Sequence, residues 1–232
     1  MLLSVFVVAL VVATTSLAMA QRYTVVAPPM IPTHGQSYEA WAEDWHAWAL
    51  SIESDENPLI EHFTGETSDC THYQVGDVWF LAGLIGGGTI TRQCTVTDET
   101  AMFFPVVNQM WFPYADDPPP DTATLEASFR QAVQGAGGWA TVDGKPVPYL
   151  QRYQVHTSWF RAWMPEDNVI DWIIENFDPG NRLWGEGWSR PHFNDGIYLM
   201  VEPLDVGPHE IKFGGWGGAF EVTYDLDVVS AP

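Results

Sequence analysis

Lysine is nearly missing from this chain. Of 232 residues only Lys145 and Lys212 carry an ammonium, and Lys and Arg together number 9 against 30 Asp and Glu, a formal net charge of −21. A surface this negative repels nucleic acid and anionic lipid, so no nucleic-acid partner is expected. The acidity itself fits a medium rich in salt or divalent ions better than a specific cationic partner. Cysteine is scarce too, with Cys70 and Cys94 alone, and no CxxC spacing marks a zinc site. No GxSxG elbow, EF-hand spacing or internal repeat is found. Beyond the N-terminus no apolar run approaches the ~20 residues a membrane span needs.

The first twenty residues read as a signal peptide. An apolar run over 2–13 is followed by Ala18-Met19-Ala20, the small-x-small pattern of a cleavage site, though no Lys or Arg precedes the run. Retention as an uncleaved anchor is the alternative, and Thr14, Thr15 and Ser16 break the run early for that role. Export predicts that the two cysteines pair. The bridge Cys70–Cys94 would close a loop of about 25 residues, worth ~3–4 kcal/mol in the chain-entropy model.

Residues 21–36 are Pro-rich and read as an extended lead-in, with a single domain over 37–232. Ser37 can cap a helix reaching Ile52, with Tyr38, Trp41, Trp45, Trp48 and Ile52 on one face and Glu39, Glu43, Asp44 and His46 opposite. Residues 78–82 read as a buried strand, Gly86-Gly87-Gly88 as a turn, 89–96 as the return strand and 101–107 as a third strand. A second helix is predicted over 123–134, with Leu125, Phe129 and Val133 sharing a face. Asp143-Gly144 marks a hairpin turn within 140–147. Residues 151–163 read as a strand, and Pro165 opens a short helix through Phe177. Residues 181–195 read as a Gly-, Trp- and Arg-rich loop. Strands follow at 197–201, 209–213 and 220–229, the last alternating Val222, Tyr224, Leu226 and Val228 against polar residues. The expected class is mainly β: a β-sandwich or jelly roll with an N-terminal amphipathic helix and one or two short helices.

The segments Gln74-Val-Gly-Asp-Val-Trp-Phe-Leu-Ala-Gly83, Arg92-Gln-Cys94 and Ala101-Met-Phe-Phe-Pro-Val-Val-Asn108 resemble a group of uncharacterised secreted β-rich proteins. Thr141-Val-Asp-Gly-Lys-Pro-Val147 and Gly207-Pro-His-Glu-Ile-Lys-Phe-Gly-Gly215 are similar to later segments of that group. The resemblance implies one coherent domain and brings with it no activity or ligand.

Chemistry concentrates in the loop over 181–195. Trp184 and Trp188 there, with Trp216 in the Gly214-Gly-Trp-Gly-Gly218 segment, could stack on sugar rings, while Arg182, Arg190 and Asn194 pair with hydroxyls. The same tryptophans could equally fold back onto the sandwich. For catalysis the best carboxylate pair is Glu186 with Asp195, with His192 as auxiliary. Glu43 and His46 lie three apart on the first helix, too few for a metal site. His209 reads as a hydrogen-bonded core histidine. The acidic sets Glu221, Asp225, Asp227 and Asp116, Asp117, Asp121 could hold Ca²⁺ through carboxylate oxygens, but unliganded surface acids are the default, so no cofactor is assigned. Three functional readings follow: an extracellular module binding a glycan or other polyhydroxylated polymer, a secreted hydrolase or lyase on such a polymer, and an envelope-associated structural protein.

Overall fold

A computed structural model describes residues 25–64, 70–113, 121–180 and 184–232. The signal-peptide reading of 1–20, Arg182, Asp116 and Asp117 lie outside the described residues. Helix α1 (Tyr38–Ser51) begins where expected, with Ser37 Oγ accepting from Ala40 N. The short helix α2 (Glu61–Thr64) leads to strand β1 (Val78–Phe80). Strands β2 (Gly88–Thr97) and β3 (Ala101–Trp111) precede helix α3 (Thr122–Gly135). The hairpin β4 (Trp139–Val142) and β5 (Lys145–Pro146) turns at Asp143-Gly144, both in the left-handed region at φ 50° and 68°. Then come β6 (Gln154–His156), β7 (Trp163–Met164), α4 (Val169–Phe177), β8 (Gly187–Trp188), β9 (Phe193–Val201), β10 (Gly207–Gly215) and β11 (Phe220–Val229).

The fold is mainly β and sandwich-like. One sheet has the order β1-β3-β9-β6 and the other β2-β11-β10-β4-β5, while β7 and β8 form a separate two-stranded ribbon. Met102, Phe104, Ile197 and Leu199 of the first sheet meet Ile211, Phe213, Val222 and Tyr224 of the second in one core. Phe104 stacks on Phe213 across that seam at 4.7 Å. The other face of the first sheet carries Phe103, Tyr198 and Met200, covered by Tyr38, Trp45 and Ala49 of α1 and by Val169 and Ile170 of α4. Strands β3 and β9 are therefore buried on both faces, which accounts for their unbroken apolar runs. Pro105 sits inside β3 at a bulge where the pairing with β9 shifts between Pro105 and Val107, the setting in which a strand accepts a proline.

The disulfide Cys70–Cys94 is formed, with the Cα atoms 5.8 Å apart. What differs from the expectation is the pairing of the return strand. β2 does not return alongside β1: β1 pairs with β3 and β2 pairs in parallel with β11. The triple glycine thus carries the chain from one sheet to the other, and the bridge ties β2 to the segment before β1. Other corrections are local. In place of a strand over 151–163 there is a 3-10 turn at Leu150–Tyr153, followed by the short β6 and the start of β7. The helix expected at Pro165 begins after Asn168, whose side chain accepts from Asp171 N. Asn194 and Asp195, read as loop residues, lie in β9 and are fully buried. His46, placed on the outer side of α1, is buried against β9.

Candidate functional site

A cavity of about 450 Å³ opens between α1, α4, the bulged end of β3 and the turn joining β10 to β11. Each wall follows from local sequence. α1 approaches the sheet through Ala42 and Ala49, whose small side chains bring Trp45, His46 and Leu50 onto the cavity. The β3 bulge turns Pro105, Val106 and Asn108 toward it. α4 contributes Val169, Ile170 and Ile173, one apolar stripe of an amphipathic helix.

Glycines set the rim. Gly86 and Gly87 have φ of 77° and 93°, and a Cβ on Gly87 would lie 2.8 Å from the Ala219 carbonyl. Gly88 N donates to that same carbonyl at 2.9 Å, which locks the inter-sheet crossing against the β10–β11 turn. Trp216 sits in this turn in the left-handed region, φ 53°, with its N–H donating to Ala136 O at 2.6 Å. A bulky residue held at positive φ stores strain of the kind found at ligand clamps. Its indole lines the cavity and is 39% exposed.

A smaller cavity of about 210 Å³ adjoins the first and shares Met110, Ile170 and Ile173 with it. Trp184 and Phe112 line it. Trp184 is held from α4: Asp171 accepts from Trp184 N at 2.6 Å and Gly185 N at 2.7 Å, while Asn168 Nδ2 donates to the same carboxylate. Two of the three predicted tryptophans, Trp184 and Trp216, therefore line adjoining cavities. Trp188 does not. It lies on β8, 64% exposed, edge to face with the 45% exposed Trp163 of β7 at 5.9 Å.

Apart from the indoles of Trp45 and Trp216, the side chains lining the main cavity are apolar except those of His46 and Asn108, the backbone of Gly83, Gly86 and Gly87 also borders it, and no Asp, Glu, Lys or Arg lines it. Behind the wall runs a buried polar chain. Tyr198 Oη donates to Asn194 Oδ1 at 2.5 Å, so it accepts from His46 Nε2 at 3.0 Å. Burial pushes the Tyr198 hydroxyl pKa well above 10, a hydrogen bond with Asn108 opposing it. Burial, reinforced by His192, pushes His46 down to about 3, so the ring stays neutral. Gly196, beside Asn108 in the sheet, makes room for this chain: a Cβ there would lie 2.6 Å from the Tyr198 ring.

The loop polar residues have other surroundings than the sequence suggested. His192 is fully buried between Phe112 and Phe160, with Nδ1 3.1 Å from Ser189 Oγ, and burial lowers it to about 4. Asp195 is a fully buried acceptor from Gln154 Nε2 at 2.6 Å, 3.2 Å from His156 Nδ1. His156 Nε2 in turn lies 3.6 Å from Glu126 on α3. Glu186 is exposed and Arg190 half-buried. Among the described residues Glu186, His192 and Asp195 share no hydrogen bond or ion pair, and Glu186 is exposed while His192 and Asp195 are fully buried. Glu43 accepts from Ser158 Oγ, away from His46. His209 bonds Asp143 and the Asp205 carbonyl, and Glu221 pairs with Lys212. Among the described residues no three His, Cys, Asp or Glu groups converge as metal ligands.

Sequence reasoning considered His46 only as a weak metal ligand on a solvated helix face, and it did not single out Asn108. The signal for His46 was present: Tyr38, Ala42, Trp45, His46 and Ala49 follow a 3.6-residue period. For Asn108 the signal was a polar residue ending a run of seven buried positions. No protein-family model, curated protein or solved structure matches the chain.

Proposed function

We propose that this is an exported binding protein that holds a small, largely apolar organic molecule in the cavity between α1, α4 and the β10–β11 turn. The carrying observation is the cavity itself: about 450 Å³, walled mainly by aliphatic and aromatic side chains, with the polar side chains of His46 and Asn108 and a strained Trp216 on its rim. Ligand pockets have volumes of ~300–1,000 Å³ and this mixture of apolar wall and few polar groups. The disulfide and the N-terminal small-x-small pattern support export. Titration with Nile red, an uncharged apolar fluorophore, tests the reading. Saturable binding, weakened about tenfold or more by the cavity-filling substitution Ile173→Trp, is expected. Failure of the native protein to bind the dye, or equal binding by the filled variant, refutes it.

A second reading, recognition of a glycan polymer, is favoured by one specific feature, the exposed Trp163 and Trp188 pair on the β7–β8 ribbon. Indole faces of this kind stack on the C–H faces of sugars. Retention on insoluble polysaccharides, lost in Trp163→Ala with Trp188→Ala, would support it; no retention of the native protein would end it.

A further inference from the structure

We propose that the cavity selects an uncharged lipophile bearing a hydroxyl group, and that Asn108 and His46 are the residues that select it; this rests on the small-molecule reading above. Three observations lead there. First, neither cavity wall contains a charged side chain. A carboxylate brought inside would lose its hydration and meet no cation. Second, the two polar positions of the main cavity are adjacent parts of one buried network. His46 donates through Nε2 to Tyr198, which leaves Nδ1 of the neutral ring as an acceptor. Asn108 adds an amide carrying both donors and an acceptor. A ligand hydroxyl can donate to one and accept from the other, whereas an alkane leaves both groups without that partner. Third, His46 cannot supply the missing positive charge, because burial and the neighbouring His192 keep it neutral down to about pH 3. The groups that face the His46 ring confirm this: Trp45 on its own helix, Phe160 before β7, and Tyr198 and Asn194 on β9 carry no charge near neutrality.

The rest of the wall makes the remainder of the ligand apolar. Leu50, Leu59, Ile85, Ile170 and Phe220 offer only hydrocarbon surface. Removing a ligand's apolar surface from water there is favourable in proportion to its area. The apolar body therefore provides affinity, and the His46–Asn108 pair provides discrimination. Sites built to hydrogen-bond a hydroxyl reject analogues that lack it far more strongly than apolar pockets reject an extra methylene.

The test is displacement of Nile red from the full-length, disulfide-intact protein by three ten-carbon probes: decan-1-ol, sodium decanoate and 1-chlorodecane. The alcohol should displace the dye at concentrations about tenfold lower than either of the others. Asn108→Leu, similar in volume, should bring the alcohol and the chloroalkane to within about twofold of each other while Nile red still binds. His46→Gln, which keeps a donor toward Tyr198, provides a second variant should Asn108→Leu fail to fold, and should narrow the same ratio. Equal or better displacement by decanoate overturns the proposal, as does an unchanged alcohol-to-chloroalkane ratio in a folded variant. Displacement by none of the three while Nile red binds saturably also overturns it, leaving the small-molecule reading intact. Absence of dye binding by the native protein overturns both.

Discussion

Acidification from pH 7 to pH 5 should cost this fold about 4 kcal/mol through two histidines alone. His46 and His192 are both buried, and burial depresses their pKa values from 6.5 to about 3 and about 4. A depressed histidine is neutral in the folded state while the same residue in the unfolded chain takes up a proton as the pH falls through 6.5. The unfolded state then binds more protons, so the stabilisation present above pH 6.5 is lost on the way down to the folded pKa. At pH 5 each ring is protonated when unfolded and neutral when folded, which amounts to ~2 kcal/mol per histidine relative to pH 7. Urea unfolding followed by tryptophan fluorescence at pH 7, 6 and 5 gives the slope directly. His46→Gln removes one titrating ring and can still donate to Tyr198. The native protein should therefore lose about 2 kcal/mol more than this variant over the same interval. Comparing the two chains cancels every other titrating group, including His209. Its pKa, which burial lowers, is raised overall by Asp143 and the Asp205 carbonyl. A difference between the two chains that does not change from pH 7 to pH 5 would refute the assignment of His46 as a neutral buried ring.

Other perturbations follow from single contacts. Arg92 and Glu61 form a buried ion pair whose guanidinium also reaches Tyr224 Oη and the carbonyls of Pro58 and Ala82, so Glu61→Gln should destabilise by ~3–5 kcal/mol in urea unfolding. Gly196→Ala, forced against the Tyr198 ring and Asn108 Cβ, should cost ~1–3 kcal/mol and weaken Nile red binding, measured by the same two assays. Replacing Cys70 and Cys94 by serine should lower unfolding free energy by ~3 kcal/mol without abolishing the fold, since the bridge, with Cys94 in the core between the sheets and Cys70 packed on it, is a small part of that core.

Most strands and helices were legible because their signals are local. Val222, Tyr224, Leu226 and Val228 alternate with polar residues and are buried as the alternation requires. Asp143-Gly144 turns a hairpin because both residues tolerate positive φ. Sheet membership was not legible. Gly86-Gly87-Gly88 reads equally well as a hairpin turn or as a crossing between sheets, and only the partners of β2 decide it. β2 pairs in parallel with β11, more than a hundred residues later in the chain. No short-range pattern encodes that register.

The cavity was illegible for a different reason. Its walls are residues whose sequence signals are those of ordinary core. On α1 the large side chains Trp41 and Trp48 drew attention as the packing face, yet both are only half-buried. The helix is seated instead on Ala42 and Ala49, where small volume permits close approach. That choice rotates the helix and brings His46 inward, onto Tyr198. The β3 bulge then moves Asn108 to the same wall. A polar pair thus arises inside an apolar space from one helix rotation and one extra strand residue, neither of which raises local polarity in the sequence. The loop over 181–195 had the opposite character. It was rich in conspicuous side chains, but β9 buries Asn194 and Asp195 and the aromatic pair Phe112 and Phe160 encloses His192. What survives from that loop is Trp184 at the smaller cavity and Trp188 on the surface. In this fold residue type marks where chemistry is available, while helix seating and strand bulges decide which of it faces the cavity.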